Sequence, residues 1–93
     1  MPDITELSSF LKSLADPTRL KIVEYLSREG NPRCVGAIAQ HIGVSQSATS
    51  QHLRVLRQAS LVNSARRGYH IHYEINTDQM DAAFHQLRAL LKG

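Results

Sequence analysis

Apolar positions recur along this chain with two different periods. Over most of its length the period is that of an α-helix, and over one short stretch it is two. Ile4, Leu7, Phe10, Leu11 and Leu14 form one stripe at helical spacing, which predicts a helix from Ile4 to Leu14. Asp16 and Pro17 then read as a helix start, with Asp16 as N-cap and Pro17 at the first position, where its missing N–H costs nothing. The second helix runs from Thr18 to about Arg28, turns Leu20, Ile22, Val23 and Leu26 inward, and ends at Gly30-Asn31-Pro32. Val35, Ile38, Ala39 and Ile42 give a third helix at i, i+3, i+4 and i+7. Gly43 closes it, because glycine reaches positive φ cheaply. Ser45 caps a fourth helix that buries Ala48, Thr49, Leu53 and Leu56 and extends to Gln58.

The period then changes. Ile71, Tyr73 and Ile75 alternate with His70, His72 and Glu74, which predicts a strand with one buried face. Leu61 to Ala65 is its expected hairpin partner, with Arg66-Arg67-Gly68-Tyr69 at the tip. A last helix spans Thr77 to Lys92. Asn76 or Thr77 caps it, Asp78 and Asp81 sit at its positive end, and Met80, Ala83, Phe84, Leu87, Leu90 and Leu91 form a stripe. The expected architecture is mainly α with a small β-hairpin, in the order α-α-α-α-β-β-α, with residues 1–93 forming one domain. The first and last helices carry more apolar surface than so small a core uses. Packing across a two-fold axis between two copies is the expected outlet.

The fourth helix has a distinctive outer face. It presents Gln46, Ser47, Ser50, Gln51, Arg54 and Arg57, and no carboxylate occurs from Val35 to Ala59. A helix exposed only to water is usually rich in Glu and Lys. Hydroxyls, amides and guanidinium groups instead suit base edges and phosphate oxygens in a DNA major groove. Two helices joined by a tight turn, followed by a basic hairpin, make a winged helix-turn-helix. In that arrangement Arg66 and Arg67, beside Tyr69 and His70, suit phosphate or minor-groove contact. The competing reading is an ordinary helical hairpin with a polar face and a solvated loop.

Composition narrows the picture only a little. Hydrophobic residues make up 42% and charged residues 20% of 93 residues, which is ordinary for a folded domain. A formal charge of +3 favours a polyanionic partner without requiring one. The single cysteine excludes an intramolecular disulfide. No apolar run approaches a membrane span, and MPDITELSSF has none of the marks of a signal peptide, so a cytoplasmic location is expected. No nucleophile–base–acid set or phosphate-binding loop is present. His52 and Ser50, two apart on a helix, point to different faces and make no dyad.

Three segments together resemble the ArsR/SmtB transcriptional repressors: LADPTRLKIVEYL (Leu14 to Leu26), VGAIAQHIGVSQSATSQHLRVLRQASLV (Val35 to Val62) and RRGYHIHYEI (Arg66 to Ile75). The resemblance covers nearly the whole chain. It implies a homodimer joined through the first and last helices, bound to a palindromic operator in double-stranded DNA and released by a signal. It also implies that Gln46, Ser47, Ser50, Gln51 and Arg54 occupy base-reading and phosphate positions, and that Arg66 and Arg67 belong to the wing. His52 matches a position near the base of the reader helix, where it is expected to link that helix to the rest of the domain and not to touch DNA. The sensor sites of the family are incomplete here. The Cys-Val-Cys motif is reduced to Cys34-Val35-Gly36, and the Asp-x-His pair of the last helix has Met80 where histidine would stand. No metal and no cofactor is therefore expected. The open readings are Cys34 as a redox handle, Asp81 with His85 at i and i+4 as half of a site shared across a dimer, an organic ligand or other signal, and no effector at all. For Asp81 and His85 a surface ion pair is the simpler expectation, and for His70 and His72 a solvated strand face. A winged-helix module that binds protein instead of DNA is the alternative function.

Overall fold

The computed structural model describes residues 3–93, so Met1 and Pro2, the first two residues of the amphipathic N-terminal stretch, lie outside the described residues. The elements are α1 (Ile4–Leu14), α2 (Pro17–Glu29), β1 (Arg33–Cys34), α3 (Val35–Ile42), α4 (Gln46–Gln58), β2 (Val62–Arg67), β3 (His70–Ile75) and α5 (Thr77–Leu91). Four of the five helices start at a side chain that holds a free amide. Asp3 accepts from Thr5 N and Glu6 N, Asp16 from Arg19 N, Ser45 from Ala48 N, and Asn76 from Gln79 N. The exception is α3, whose N-cap is Cys34 and which has no side-chain cap. Gly30 and Gly43 end α2 and α3 in the left-handed region, with φ of 68° and 84°.

The core is built by one face of each middle helix. Ile22, Ile38, Leu53, Leu56 and Leu61 are fully buried, and Phe10, Tyr25, Leu26, Val62 and Ala83 complete the cluster. Leu20, expected inside, is 51% exposed. The inward face of α2 is set by Ile22, Tyr25 and Leu26 at i, i+3 and i+4, and Leu20 lies about 200° around the helix from Ile22. Tyr25 takes the inner place and stacks on the His41 ring of α3, with centroids 4.1 Å apart and planes 19° apart. On α5 only Ala83 is buried. Phe84 meets Phe10 of α1 edge-on at 5.8 Å, while Leu90 and Leu91 stay exposed.

The sheet has three strands, in the order β1-β3-β2, all antiparallel. β1 is not foreshadowed by the sequence pattern. Two residues carry no periodicity, and they are ordered by pairing Arg33 with Tyr73 and Cys34 with His72. This pairing corrects two expectations. His72 is half-buried, with Nδ1 shielded and without a hydrogen-bond partner among the described residues, so it does not share a solvated face with the exposed His70. Ile71 lies beyond the reach of β1, opposite Arg66, and is 41% exposed, so the side of the strand packed on the core narrows to the half-buried Tyr73 and Ile75.

The exit from α4 is strained. Ser60 adopts φ 62°. Ser60 N donates to Arg57 O and Leu61 N to Leu56 O, the paired bonds of a Schellman motif, which seats Leu61 against Leu56 in the core. A side chain in this conformation costs free energy that glycine avoids. Ser60→Gly should therefore raise stability by about 0.5–1 kcal/mol in urea unfolding, net of the added backbone entropy of glycine.

Candidate nucleic-acid interface

The rotation of α4 about its own axis decides which residues face outward. A three-residue turn, Gly43-Val44-Ser45, brings the chain out of α3, with Gly43 N and Val44 N both bonded to Ala39 O. Ser45 then caps α4 with its hydroxyl and accepts at its carbonyl from Thr49 N and Thr49 Oγ1, the latter at 2.8 Å. That bond lets the Thr49 hydroxyl be buried without cost, and Leu53 and Leu56 continue the same face into the core. With Thr49, Leu53 and Leu56 inside, Gln46, Ser47, Ser50, Gln51 and Arg54 are all exposed, along with Arg57. The Gln46 amide lies over α3 so closely that a Cβ on Gly36 would stand 3.4 Å from Gln46 Nε2.

The wing turns through Gly68 and Tyr69. Only Gly68, at φ 64°, has positive φ, as in a type II′ hairpin. Tyr69 is 98% exposed at the tip. Arg66 and Arg67 are also exposed, but they belong to β2 and not to the loop, where they pair with Ile71 and His70. Successive strand side chains point to opposite faces. The two arginines therefore serve two different surfaces, a correction to the reading that groups them at one tip. His70 is exposed beside Arg67. Arg57 of α4 reaches Ser64 of β2 at 3.5 Å and ties the wing to the last turn of the reader helix.

Behind α4 lies a polar cluster. Arg19 of α2 donates from Nε to Ser13 O at 2.6 Å and from Nη2 to Lys12 O, and its Nη1 lies 3.4 Å from His52 Nδ1. His52 Nδ1 is also 3.9 Å from Asp16 Oδ2. His52 thus joins α4 to the α1–α2 corner, as expected of it. Sequence reasoning missed Arg19. Its signal was present in Asp16-Pro17-Thr18-Arg19, where an N-cap places an arginine one turn ahead on the same end of α2.

The other candidates are not assembled into a site. Cys34 is half-buried at the start of α3. Asp81 and His85 are both exposed on α5, and among the described residues no ion pair joins them. Among the described residues no group of three or more His, Cys, Asp and Glu side chains is placed to hold a metal ion, and no helix is long and apolar enough to cross a membrane.

A helix-turn-helix with its second helix polar and outward, followed by a β-hairpin, is a winged helix-turn-helix of the DNA-binding class. Residues 16–64 match the model of the bacterial regulatory proteins of the arsR family, and the chain belongs to that family. It is similar to the transcriptional repressor SdpR of Bacillus subtilis, 37% identical over 71 residues that make up 76% of this chain and 77% of that protein. It is also similar to the nodulation protein NolR of Rhizobium meliloti, 42% identical over 71 residues, of whose length the match spans 57%. A homodimeric winged helix-turn-helix DNA-binding domain from Mycobacterium bovis, a possible ArsR-family regulator, superposes with a TM-score of 0.77 at 26% identity, over 96% of this chain and 81% of that one. The chain is thus a transcriptional regulator and not an enzyme.

Asp16 carries a pH dependence. The Arg19 backbone N–H bonded to its carboxylate, with the charge of Arg19 nearby, holds its pKa below the ordinary 3.8. A depressed carboxylate adds stability above its unfolded pKa and loses it as pH falls through the folded value. Asp16→Asn retains a capping side chain but not the charge. The stability gap between wild type and this variant should be widest above about pH 4 and close at lower pH, in urea unfolding at fixed protein concentration.

Proposed function

We propose that this chain is a homodimeric repressor that lays one α4 from each protomer into successive major grooves of a palindromic operator. The observation that carries the reading is the locked, carboxylate-free outer face of α4. Gln46, Ser47, Ser50, Gln51 and Arg54 supply base and phosphate contacts from that face. Arg66, Arg67, Tyr69 and His70 contact the backbone or minor groove from the wing, with the two arginines on different faces of the strand.

The dimer draws support from Ile4 and Leu11 of α1 and Phe84, Leu90 and Leu91 of α5, large apolar side chains left exposed by the protomer. The similar domain from Mycobacterium bovis is itself homodimeric, which supports the dimer further. Pairing these helices across a two-fold sets the reader helices about 34 Å apart, one turn of B-DNA. In this reading residues 1–93 act as one domain, in the cytoplasm, and a signal of unidentified chemistry releases the DNA. The protein-binding alternative calls for an apolar outer face on α4, which hydroxyl, amide and guanidinium groups occupy instead.

The test is a salt titration of binding to a duplex selected from a random pool, compared with random duplex. Gln51→Ala and Arg54→Ala should each cost about 1–3 kcal/mol on the selected duplex and relax its sequence preference. Arg66→Ala should weaken both duplexes about equally and lower the salt slope by about one. Equal affinity of the wild type for both duplexes would overturn the proposal.

A further inference from the structure

The geometry points to Arg19 as a positioning residue for the reader helix: a three-way clamp whose hydrogen bond to His52 fixes the bearing of α4 on the helix that precedes α2. Arg19 donates at once to two carbonyls at the end of α1, Ser13 O at 2.6 Å and Lys12 O at 3.4 Å, and faces the His52 ring at 3.4 Å. A planar guanidinium holds three directed donors in a fixed fork, which an ammonium does not. The carbonyls it takes sit in the last turn of α1, where backbone acceptors attract a cation, and Lys12 O also accepts from Ala15 N.

The clamp also assigns the histidine tautomer. Arginine has no acceptor, so His52 Nδ1 must accept and the ring proton sits on Nε2. The second group facing Nδ1 is the Asp16 carboxylate at 3.9 Å, which accepts only. These two groups, one on α2 and one at its N-cap, are the charged neighbours that face the ring among the described residues. Arg19 and Asp16 thus compete for one nitrogen with opposite demands, and the closer contact belongs to Arg19. Ser47, Ser50, Gln51 and Arg54 flank His52 in the chain on the outer side of α4. A tilt of α4 on loss of the clamp moves them all together. Specificity suffers most, because bidentate base contacts tolerate small displacements poorly, whereas backbone attraction does not depend on such precision.

The role in DNA reading rests on the function proposed above, whereas the clamp itself does not. Arg19→Met keeps the stem length and removes the donors, His52→Leu removes the acceptor, and His52→Asn keeps an acceptor near the place of Nδ1. Without DNA, long-range ¹H–¹⁵N spectra of the wild-type ring should show Nδ1 bare and Nε2 protonated. In Arg19→Met the proton should move toward Nδ1, which then faces Asp16. With DNA, Arg19→Met and His52→Leu should each lower the preference for the selected over the random duplex about tenfold, the double variant no further, and His52→Asn by no more than about twofold. Affinity for random duplex should stay within about twofold throughout. Strictly additive losses, an unchanged preference in His52→Leu, or a wild-type ring protonated on Nδ1 would each overturn the clamp. A wild-type ring protonated on Nε2 in a protein with no duplex preference would overturn the DNA reading and the positioning role built on it.

Discussion

Burial of one face of α4 is the constraint on which the rest depends. Thr49, Leu53 and Leu56 are inside, and a helix has only one rotation about its axis that satisfies all three. Thr49 adds direction to an otherwise greasy contact. Its hydroxyl is satisfied in the core by donating to the Ser45 carbonyl, and the Ser45 hydroxyl accepts from Ala48 N, so Ser45 ties the buried face to the N-cap. Everything at the surface follows from that rotation. Gln46, Ser47, Ser50, Gln51 and Arg54 have nowhere to go but outward, and the last turn carries Arg57 to the wing.

The elements with strong local signals are legible in the sequence. The caps at Asp16, Ser45 and Asn76 and the glycine stops at 30 and 43 act within one helical turn, so a short window contains the whole interaction. What escapes depends on partners far along the chain. β1 exists because Arg33 and Cys34 meet Tyr73 and His72, some forty positions away, and this same meeting shields His72. Leu20 is misplaced by sequence because apolarity alone does not fix which stripe of α2 faces the core. Arg66 and Arg67 read as loop because nothing local extends the strand past Ala65, yet two more paired residues separate their side chains. Of the candidate interface, the residue identities on α4 and the wing are readable. The Arg19 fork that backs them leaves only a local hint, its place one turn into α2 after the Asp16 cap, since a guanidinium bridging three segments leaves no periodic trace.

The protomer is unfinished in one direction. α5 buries only Ala83 within the chain, while Phe84, Leu90 and Leu91 remain exposed and α1 adds Ile4 and Leu11. A small domain gains from covering such a surface, and in the proposed dimer a second copy covers it in a way that also aligns two reader helices. Stability and recognition are then linked. The core orients α4 within a protomer, the α1–α5 face spaces the two α4 helices in the proposed dimer, and the polar cluster at Arg19 connects one to the other.

The most direct measurement is a hydroxyl-radical footprint of the protein on the duplex it selects from a random pool. The account predicts two protected patches on one side of the duplex, centred about ten base pairs apart and related by the symmetry of the sequence. A single patch, or two patches at a spacing that is not a whole helical turn, would contradict it.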